Sequence, residues 1–277
     1  MNLPSTVSDP QPIGGGSINQ AWRVRRADGT PAFLKMRPDV PPGEYQREAA
    51  GLQWLAETGA LALPGVLEVS DRHLLLEWVE PGSLSAAGEL ELGRGLARIH
   101  AAGAPCFGDP GLGGAAGFGS LALSNEPTAD WAVFYARQRL APLAQVAAER
   151  GALSPSGAQS VGEVCERLGE LSGPVEPPAR LHGDLWVGNV LGDAEGRPWL
   201  IDPSVYGGHR EMDLAMLRLF GHASERIFDA YQEVSPLAEG WRERVGLWQL
   251  APLLVHAVLF GGSYGQAVER TAQRYRD

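Results

Sequence analysis

The segment from residue 181 to 189, Leu-His-Gly-Asp-Leu-Trp-Val-Gly-Asn, constrains the fold of this chain most strongly. It places Asp184 two residues after His182, and Asn189 five residues after Asp184. A carboxylate that can take a proton from a hydroxyl group, followed on the same loop by an amide that can hold a metal ion, is typical of phosphoryl-transfer loops. A second carboxylate, Asp202, ends a short apolar run farther along. The pattern predicts a Mg²⁺–ATP site made of two carboxylates and an amide.

The only lysine of the chain, Lys35, is a second strong signal. Lysine and arginine together number 23, and the other 22 of these residues are arginines. A compact ammonium group on a flexible stem can hold phosphate oxygens in a narrow cleft, a task that suits lysine better than arginine. Lys35 falls in a predicted strand, 32–36, which follows a strand at 21–25 and the hairpin signal Asp28-Gly29. We therefore predict that Lys35 binds the phosphates of a nucleotide.

A glycine loop precedes these two strands. Residues 1–12 are polar and proline-rich, which predicts a loosely held arm, and the loop itself consists of Gly14, Gly15, Gly16 and Ser17. Glycines allow a backbone to close over phosphates where side chains would clash. The chain contains no G-x-x-x-x-G-K-[ST] sequence, which excludes a Walker P-loop.

The segment after Lys35 predicts the rest of a nucleotide-binding lobe. A helix at 44–57 carries Glu48, which can pair with Lys35 and orient it. Two more strands follow, and then a hinge in which the backbone near Glu77 and Val79 faces the adenine ring. We place the lobe boundary at Gly82, giving lobes 1–82 and 83–277. The expected fold is α+β and bilobal, like that of protein kinases, with an antiparallel sheet and a helix before a mostly helical second lobe.

The second lobe is predicted from apolar spacing and turn signals. Residues 106–124 form a glycine-rich loop or a mobile flap, and residues 190–201 a hairpin that presents Asp202. The apolar stretch from Val245 to Phe260 contains Pro252 and predicts a pair of buried helices. The remaining helices are expected at 90–101, 128–150, 156–171 and through most of 210–276.

Composition narrows the class of protein. The 277 residues are 44% hydrophobic, which is enough for a large core, and the net charge is −10 without a basic run. Binding to nucleic acid or to an anionic membrane is therefore not expected. Two cysteines, Cys106 and Cys165, are too few for a disulfide framework, and no leader sequence is evident, so a cytoplasmic location is expected.

Together, these segments resemble the fructosamine kinase (ketosamine kinase) family, a branch of the aminoglycoside phosphotransferase-like enzymes with a protein-kinase-like fold. The most specific similarity lies in His182-Gly183-Asp184-Leu185-Trp186 with Gly188-Asn189, and in Asp202-Pro203-Ser204-Val205-Tyr206 with Gly208-His209-Arg210-Glu211. Weaker similarity is found in Gly15-Gly16-Ser17-Ile18-Asn19, Glu48-Ala49-Ala50-Gly51-Leu52, Gln138-Arg139-Leu140 and Leu259-Phe260-Gly261-Gly262-Ser263-Tyr264. The chain departs from the family pattern at Val187, Gly207 and Ser17.

The resemblance implies ATP-dependent phosphorylation of a sugar hydroxyl on a ketosamine, the rearranged adduct of a sugar and an amine. It implies that Asp184 is the catalytic base, that Asn189 and Asp202 bind Mg²⁺, and that Lys35, oriented by Glu48, contacts the phosphates. The phosphorylated adduct then breaks down and frees the amine. The open 106–124 loop favours an adduct of a pentose or a tetrose.

Several residues near these motifs allow a structural or a functional interpretation. His182 is expected to bond to backbone behind the loop, and Asp213 to cap a helix or to brace the loop. Trp186, His209 and His256 are candidates for the acceptor pocket, although each also fits a core position. Arg210 and Glu211 are expected to form an internal ion pair.

Two other functions remain open from the sequence. One is phosphorylation of a different small acceptor, such as an aminoglycoside or choline, which would call for an acidic pocket. The other is nucleotide binding without catalysis, against which the joint presence of Lys35, Glu48, Asp184, Asn189 and Asp202 argues. A protein kinase is disfavoured because the chain lacks His-Arg-Asp, Asp-Phe-Gly and Ala-Pro-Glu motifs.

Overall fold

The computed structural model describes residues 3–14, 20–113, 116–118, 121–221 and 223–276. Its first part is a five-stranded antiparallel sheet with the strand order β1-β2-β3-β5-β4. The elements of this part are β1 (Val7–Ile13), β2 (Gln20–Arg26), β3 (Pro31–Met36), α1 (Glu44–Ala56), β4 (Val66–Val69) and β5 (His73–Glu77). The prediction of an antiparallel sheet with one helix is confirmed.

Alternation along β3 determines which way Lys35 points. Ala32 and Leu34 are buried in a cluster with Trp22 on one face of the sheet. The other face carries Leu74 and Leu76, which pack against α1. Because successive side chains of a strand point to opposite faces, Lys35 projects to the same side as α1.

The prediction of a loose arm at residues 1–12 is wrong for residues 7–12, which belong to β1. This strand is an edge strand paired with β2, and its register shifts between Ser8 and Gln11, where Asp9 has a φ of 49°. Prolines lack a backbone donor and are tolerated on an edge strand or at a bulge. Pro10 and Pro12 therefore suppressed the strand signal without preventing the strand.

The second part is mostly helical and contains three small sheets, β11-β10-β6, β12-β9 and β7-β8. Its strands are β6 (Pro81–Gly82), β7 (Ala116–Phe118), β8 (Leu121–Leu123), β9 (Ala179–Leu181), β10 (Val190–Asp193), β11 (Pro198–Leu200) and β12 (Tyr206–Gly208). Its helices are α2 (Ala86–Ala101), α3 (Trp131–Tyr135), α4 (Ala141–Glu149), α5 (Pro155–Leu171), α6 (Glu211–Leu217), α7 (Glu225–Val234), α8 (Trp241–Phe260) and α9 (Tyr264–Ala272).

Three details of this part differ from the predictions. The stretch predicted as a helix pair is the single helix α8, which contains Pro252 and is buried along much of its length. The 106–124 segment includes the short hairpin β7–β8. The helix predicted from residue 128 begins at Trp131, where the Asp130 side chain accepts a hydrogen bond from the Val133 N–H, and a π-helical turn (Ala136–Leu140) joins α3 to α4. Of the described helices, none combines the length and hydrophobicity needed to cross a membrane.

Candidate active site

The loop that follows β9 is shaped by a glycine. Gly183 has a φ of 84°, a conformation that side chains rarely adopt. A Cβ atom at this position would overlap the carbonyl oxygen of Ser204 and lie 3.1 Å from the Tyr206 ring. Since β9 pairs with β12, the loop before Asp184 is held directly against the segment that follows Asp202. This close approach brings the two motifs together.

Asp213 fixes the backbone of this loop from behind. Its Oδ2 accepts the His182 N–H at 2.8 Å, and its Oδ1 accepts the Gly183 N–H at 2.9 Å. His100 donates from Nε2 to Oδ2 at 3.2 Å, and Asp213 is only 1% exposed. Burial alone would raise the pKa of Asp213, but the hydrogen bonds that it accepts, chiefly from the His100 ring and also from the Gly183 N–H, hold that pKa below its ordinary value. Asp213 is thus a buried carboxylate that braces the loop.

His182 has the structural position expected of it. Its Nε2–H donates to the Ile201 carbonyl oxygen at 3.0 Å, which ties the loop to the residue before Asp202. Burial lowers the pKa of His182, so the ring is neutral near pH 7. A neutral ring bonded to backbone serves to position the loop rather than to carry a proton.

Asn189 and Asp202 both lie close to Asp184 at the end of the loop. The Asn189 Nδ2 group donates to the Asp184 carbonyl oxygen at 2.8 Å and to its Oδ2 at 3.3 Å. Burial and the nearby charge of Asp202 raise the pKa of Asp184 to about 6. Asp202 has a φ of 54°, an unusual value for a residue other than glycine, and such outliers concentrate at functional sites.

Lys35 joins this group from the other side. Its Nζ lies 2.9 and 2.8 Å from the two carboxylate oxygens of Glu48 and 3.2 Å from Oδ1 of Asp202. The Lys35 side chain is 8% exposed and that of Glu48 is 10% exposed. Burial would lower the pKa of Lys35, but the two carboxylates outweigh it and raise the pKa, so the ammonium group stays charged.

The charges at this site favour a cation. Glu48, Asp184 and Asp202 surround a single ammonium group, so the cluster has an excess of negative charge. Among the described residues, no group of three His, Cys, Asp or Glu side chains is arranged to hold a metal ion. The donors predicted from the sequence are the carboxylate of Asp202 and the amide oxygen of Asn189. Carboxylate and amide oxygens are the ligands that Mg²⁺ prefers. The donor set and the charge therefore fit a hard divalent ion.

The remaining nucleotide-binding candidates are the glycine loop and the hinge. Gly14 is described and has open space around it, whereas Gly15, Gly16 and Ser17 lie outside the described residues. β5 ends at Glu77, whose N–H donates to the Gly65 carbonyl oxygen at 2.8 Å. The Glu77 carboxylate accepts the Gly65 N–H at 3.1 Å. Val79 lies between β5 and β6, in the connection between the two parts.

The three acceptor-pocket candidates have different surroundings. His209 is 3% exposed and its ring is stacked on Trp248, with ring centroids 5.3 Å apart, so its place in the acceptor pocket stays a prediction. Trp186 is half-buried and its ring covers Gly188 of the same loop. His256 is half-buried and is treated with its neighbours below.

An aromatic cluster surrounds His256. The ring of Phe220 lies 4.4 Å from that of His256, and the rings of Tyr264 and Phe260 lie 5.2 and 5.4 Å away. A Cβ atom at Gly221 would contact the Val187 side chain, so the cluster adjoins the loop that carries Asp184. The cluster thus reaches the loop that carries Asp184, and its Phe260 is 53% exposed.

Several ion pairs and hydrogen bonds between distant residues near the site were not evident in the sequence. Arg210 does not pair with Glu211 as expected; it donates to Glu176 at 2.7 Å, and Glu211 accepts from Arg244 at 2.6 Å. The contact between His100 and Asp213 joins residues 113 positions apart, and only a fold-level argument could have found it.

Comparison with known proteins gives a consistent result. The sequence profile of the fructosamine kinase family matches residues 2–277. A protein of Enterococcus faecium assigned as a ketoamine kinase is 34% identical over 292 residues, covering 99% of this chain and 100% of its own length. The chloroplastic protein-ribulosamine 3-kinase of Oryza sativa subsp. japonica is 33% identical over 91% of this chain and 74% of its own.

Solved structures agree with this similarity. The crystal structure of a protein from Thermobifida fusca assigned as a fructosamine-3-kinase has a TM-score of 0.89 at 44% identity, covering 96% of this chain and 93% of that one. A choline/ethanolamine kinase family protein from Mesorhizobium loti shares the fold, with a TM-score of 0.63 at 16% identity. The α+β, kinase-like fold predicted from the sequence is confirmed.

Proposed function

Because the chain belongs to the fructosamine kinase family, we propose that it transfers the γ-phosphoryl group of ATP to a sugar hydroxyl of a ketosamine. The observation that carries the proposal is the convergence of two distant motifs. The Lys35–Glu48 pair reaches Asp202, and Asp202 is close enough to Asp184 to raise its pKa. A scaffold that only bound nucleotide would have no need of a base beside the metal ligands.

In this proposal Asp184 orients the acceptor hydroxyl and accepts its proton. With a pKa of about 6, the Asp184 carboxylate is ionised at neutral pH and is a stronger base than an exposed aspartate. A pKa near the working pH suits a group that accepts a proton during the reaction. Lys35, held by Glu48, binds phosphate oxygens, and Gly14 to Ser17 cover the phosphates. Asn189 and Asp202 would hold Mg²⁺, which supplies neutralisation of phosphate charge when bound.

The acceptor would lie beside Trp186 and the aromatic cluster around His256. Aromatic rings suit the apolar face of a sugar, and the cluster adjoins the catalytic loop through Val187. The rice relative is named for ribulosamine, a pentose adduct, and the Thermobifida fusca protein for fructosamine, a hexose adduct. The preference for a pentose or tetrose adduct therefore rests on the sequence alone. Phosphorylation would then lead to breakdown of the adduct and release of the amine.

We also propose the lobe division at residue 82 and a cytoplasmic location. Residues 81–82 pair with Gly192 and Asp193, so the chain enters the second part at this point. Cys106 and Cys165 are both free thiols, in keeping with a reducing compartment.

The test is ATP-dependent phosphorylation of ribulosamine, erythrulosamine and fructosamine adducts, with choline and kanamycin as competing acceptors. ADP release and the phosphorus spectrum of the product are recorded. Asp184→Asn should abolish turnover of the ketosamines and retain ATP binding, whereas Asp229→Asn, an exposed carboxylate on α7, should behave as wild type. Turnover of choline or kanamycin alone, or ATP binding without any turnover, would contradict the proposal. Equal turnover of hexose and pentose adducts would overturn only the sugar preference.

A further inference from the structure

Helix α1 carries Glu48 but is shared between the two parts of the molecule. Tyr45, Ala49 and Leu52 pack against the five-stranded sheet. Trp54 and Leu55, near its carboxyl end, instead belong to a cluster formed mostly by residues of the helical part. The position of Glu48 therefore depends on the helical part as well as on the sheet.

Arg180 holds the carboxyl end of α1. It lies in the middle of β9, four residues before Asp184, and its Nη1 group donates to the Trp54 carbonyl oxygen. Its guanidinium carbon lies 4.4 Å from the centroid of the Trp54 ring. Nη1 also contacts the Glu57 carboxylate at 3.2 Å, a pair that adds little because Glu57 is 66% exposed.

The charge of Arg180 complements the end of the helix. The carbonyl groups in the last turn of a helix point outward and favour a positive charge. None of the residues that α1 has in its own last turn is basic. Arg180 supplies this charge from another element, and its side chain is 14% exposed, so water screens the interaction only weakly.

Two more contacts join α1 to the segment around Asp202. Gly51 packs against Val205, so that a Cβ atom added at Gly51 would lie 3.1 and 3.2 Å from the two methyl carbons of Val205. Beyond the helix, the Leu200 N–H donates to the Ala62 carbonyl oxygen at 3.0 Å. The helix end is thus attached to strands that lead to both catalytic carboxylates.

A displacement of this end would reach the nucleotide site. Glu48 and Trp54 are six residues apart on one helix, or about 9 Å along its axis. Because a packed helix moves as a rigid unit, a shift at Trp54 displaces Glu48 and, through the 2.8 Å contact, Lys35. Errors of this kind are costly, since a misplacement of about 1 Å can lower a rate about 100-fold.

We infer that Arg180 is a positioning residue for phosphoryl transfer, which sets Glu48 and Lys35 relative to Asp184 and Asp202 by fixing the carboxyl end of α1 on β9. The inference rests on the proposed function for its kinetic consequences. Its structural consequence, the anchoring of α1, does not depend on which acceptor is phosphorylated.

The test compares Arg180→Met with Arg180→Lys and with a matched control. Arg167→Met removes an arginine with the same kinds of contact, a backbone carbonyl at 2.9 Å and a glutamate at 3.7 Å, between α5 and the carboxyl-terminal segment. For each variant, kcat, KM for ATP and KM for a ketosamine are measured. Affinity for an ATP analogue and hydrogen exchange across residues 44–56 are measured as well.

For Arg180→Met we expect kcat/KM for ATP to fall between about 10-fold and 100-fold, with KM for the ketosamine within about twofold of wild type. Affinity for the analogue should fall and exchange across α1 should accelerate. Arg180→Lys keeps the positive charge but lacks the planar guanidinium group. Its kcat/KM for ATP should therefore lie between the values of wild type and Arg180→Met. Arg167→Met should change only the melting temperature.

A second pair of substitutions tests the same idea without removing a charge. A methyl group at Gly51 would lie 3.1 Å from Val205, so α1 or the Val205 side chain must shift by a few tenths of an ångström. We expect Gly51→Ala to lower kcat/KM for ATP, and Val205→Ala in the same chain to restore it. Unchanged nucleotide affinity and exchange in Arg180→Met, or no rescue by Val205→Ala, would overturn the inference. If wild type lacks ketosamine turnover, the proposed function fails, while nucleotide affinity and exchange still decide the role of Arg180.

Discussion

Replacing Asp213 by asparagine should damage both stability and catalysis. The carboxylate accepts three hydrogen bonds, from the N–H groups of His182 and Gly183 and from the His100 ring, and is 1% exposed. Asparagine keeps the shape but places an NH₂ donor where one oxygen accepted. Each hydrogen bond to a charged group contributes about 1.5–3 kcal/mol, and a buried donor left without a partner costs about 1–3 kcal/mol.

Summed over the lost and weakened bonds, we expect the free energy of unfolding to fall by about 3–5 kcal/mol. That corresponds to a decrease in Tm of roughly 10 °C for a chain of this size. Because the loop backbone before Asp184 loses its brace, kcat should fall about 10-fold or more at a temperature where the variant is folded. Thermal melts followed by circular dichroism, together with initial rates, give both quantities, with Asp229→Asn as the control.

The dependence on pH separates this explanation from general damage. The pKa of Asp213 is lowered in the folded state, so its contribution to stability is present above the unfolded value of about 3.9 and is lost as pH falls through the folded value. The difference in Tm between wild type and Asp213→Asn should therefore shrink below about pH 4. A variant with wild-type Tm and kcat, or with a difference that grows on acidification, would refute the reasoning.

Three further outcomes are expected. Lys35→Met should abolish turnover and lower the free energy of unfolding by about 3–5 kcal/mol, because it leaves the buried Glu48 carboxylate without a partner. Combining Lys35→Met with Glu48→Met should recover most of the Tm in thermal melts but no activity. Recovery of activity would count against the role of the pair. Gly183→Ala should lower Tm and kcat together because its Cβ would overlap the Ser204 carbonyl oxygen, and a wild-type melt would contradict this. EDTA should stop transfer, and Asp202→Asn should raise the Mg²⁺ concentration for half-maximal rate at least about 10-fold; an unchanged Mg²⁺ titration would remove Asp202 from the metal site.

Local signals in the sequence were sufficient to predict most elements near the site. The hairpin signal Asp28-Gly29 placed Lys35 in a strand, and apolar spacing placed Glu48 in a helix. These features depend on neighbours within a few residues, which is why a single sequence reveals them.

Contacts between distant segments could not be predicted in the same way. Arg210 and Glu211 were expected to pair because they are adjacent, but adjacent residues on a helix do not face each other. Their partners, Glu176 and Arg244, come from other elements. The burial of His209 likewise depends on Trp248, which is 39 positions away along the chain.

Local rules failed where packing overrides them. Pro252 signalled a break, but the helix around it is buried and continues for 20 residues. The tertiary contacts of α8 therefore outweigh the local cost of the proline.

The presence of a single, buried lysine affects how readily reducing sugars can modify the protein itself. Reducing sugars attack amines in their neutral form, and lysine side chains are the abundant amines of most protein surfaces. Here the single ε-amino group is 6% exposed and is kept protonated by two carboxylates. An enzyme proposed to repair sugar-modified amines thus presents almost no lysine that sugars could modify, and its arginines maintain surface charge in its place. Its own working site is accordingly shielded from the damage that it would reverse in other molecules.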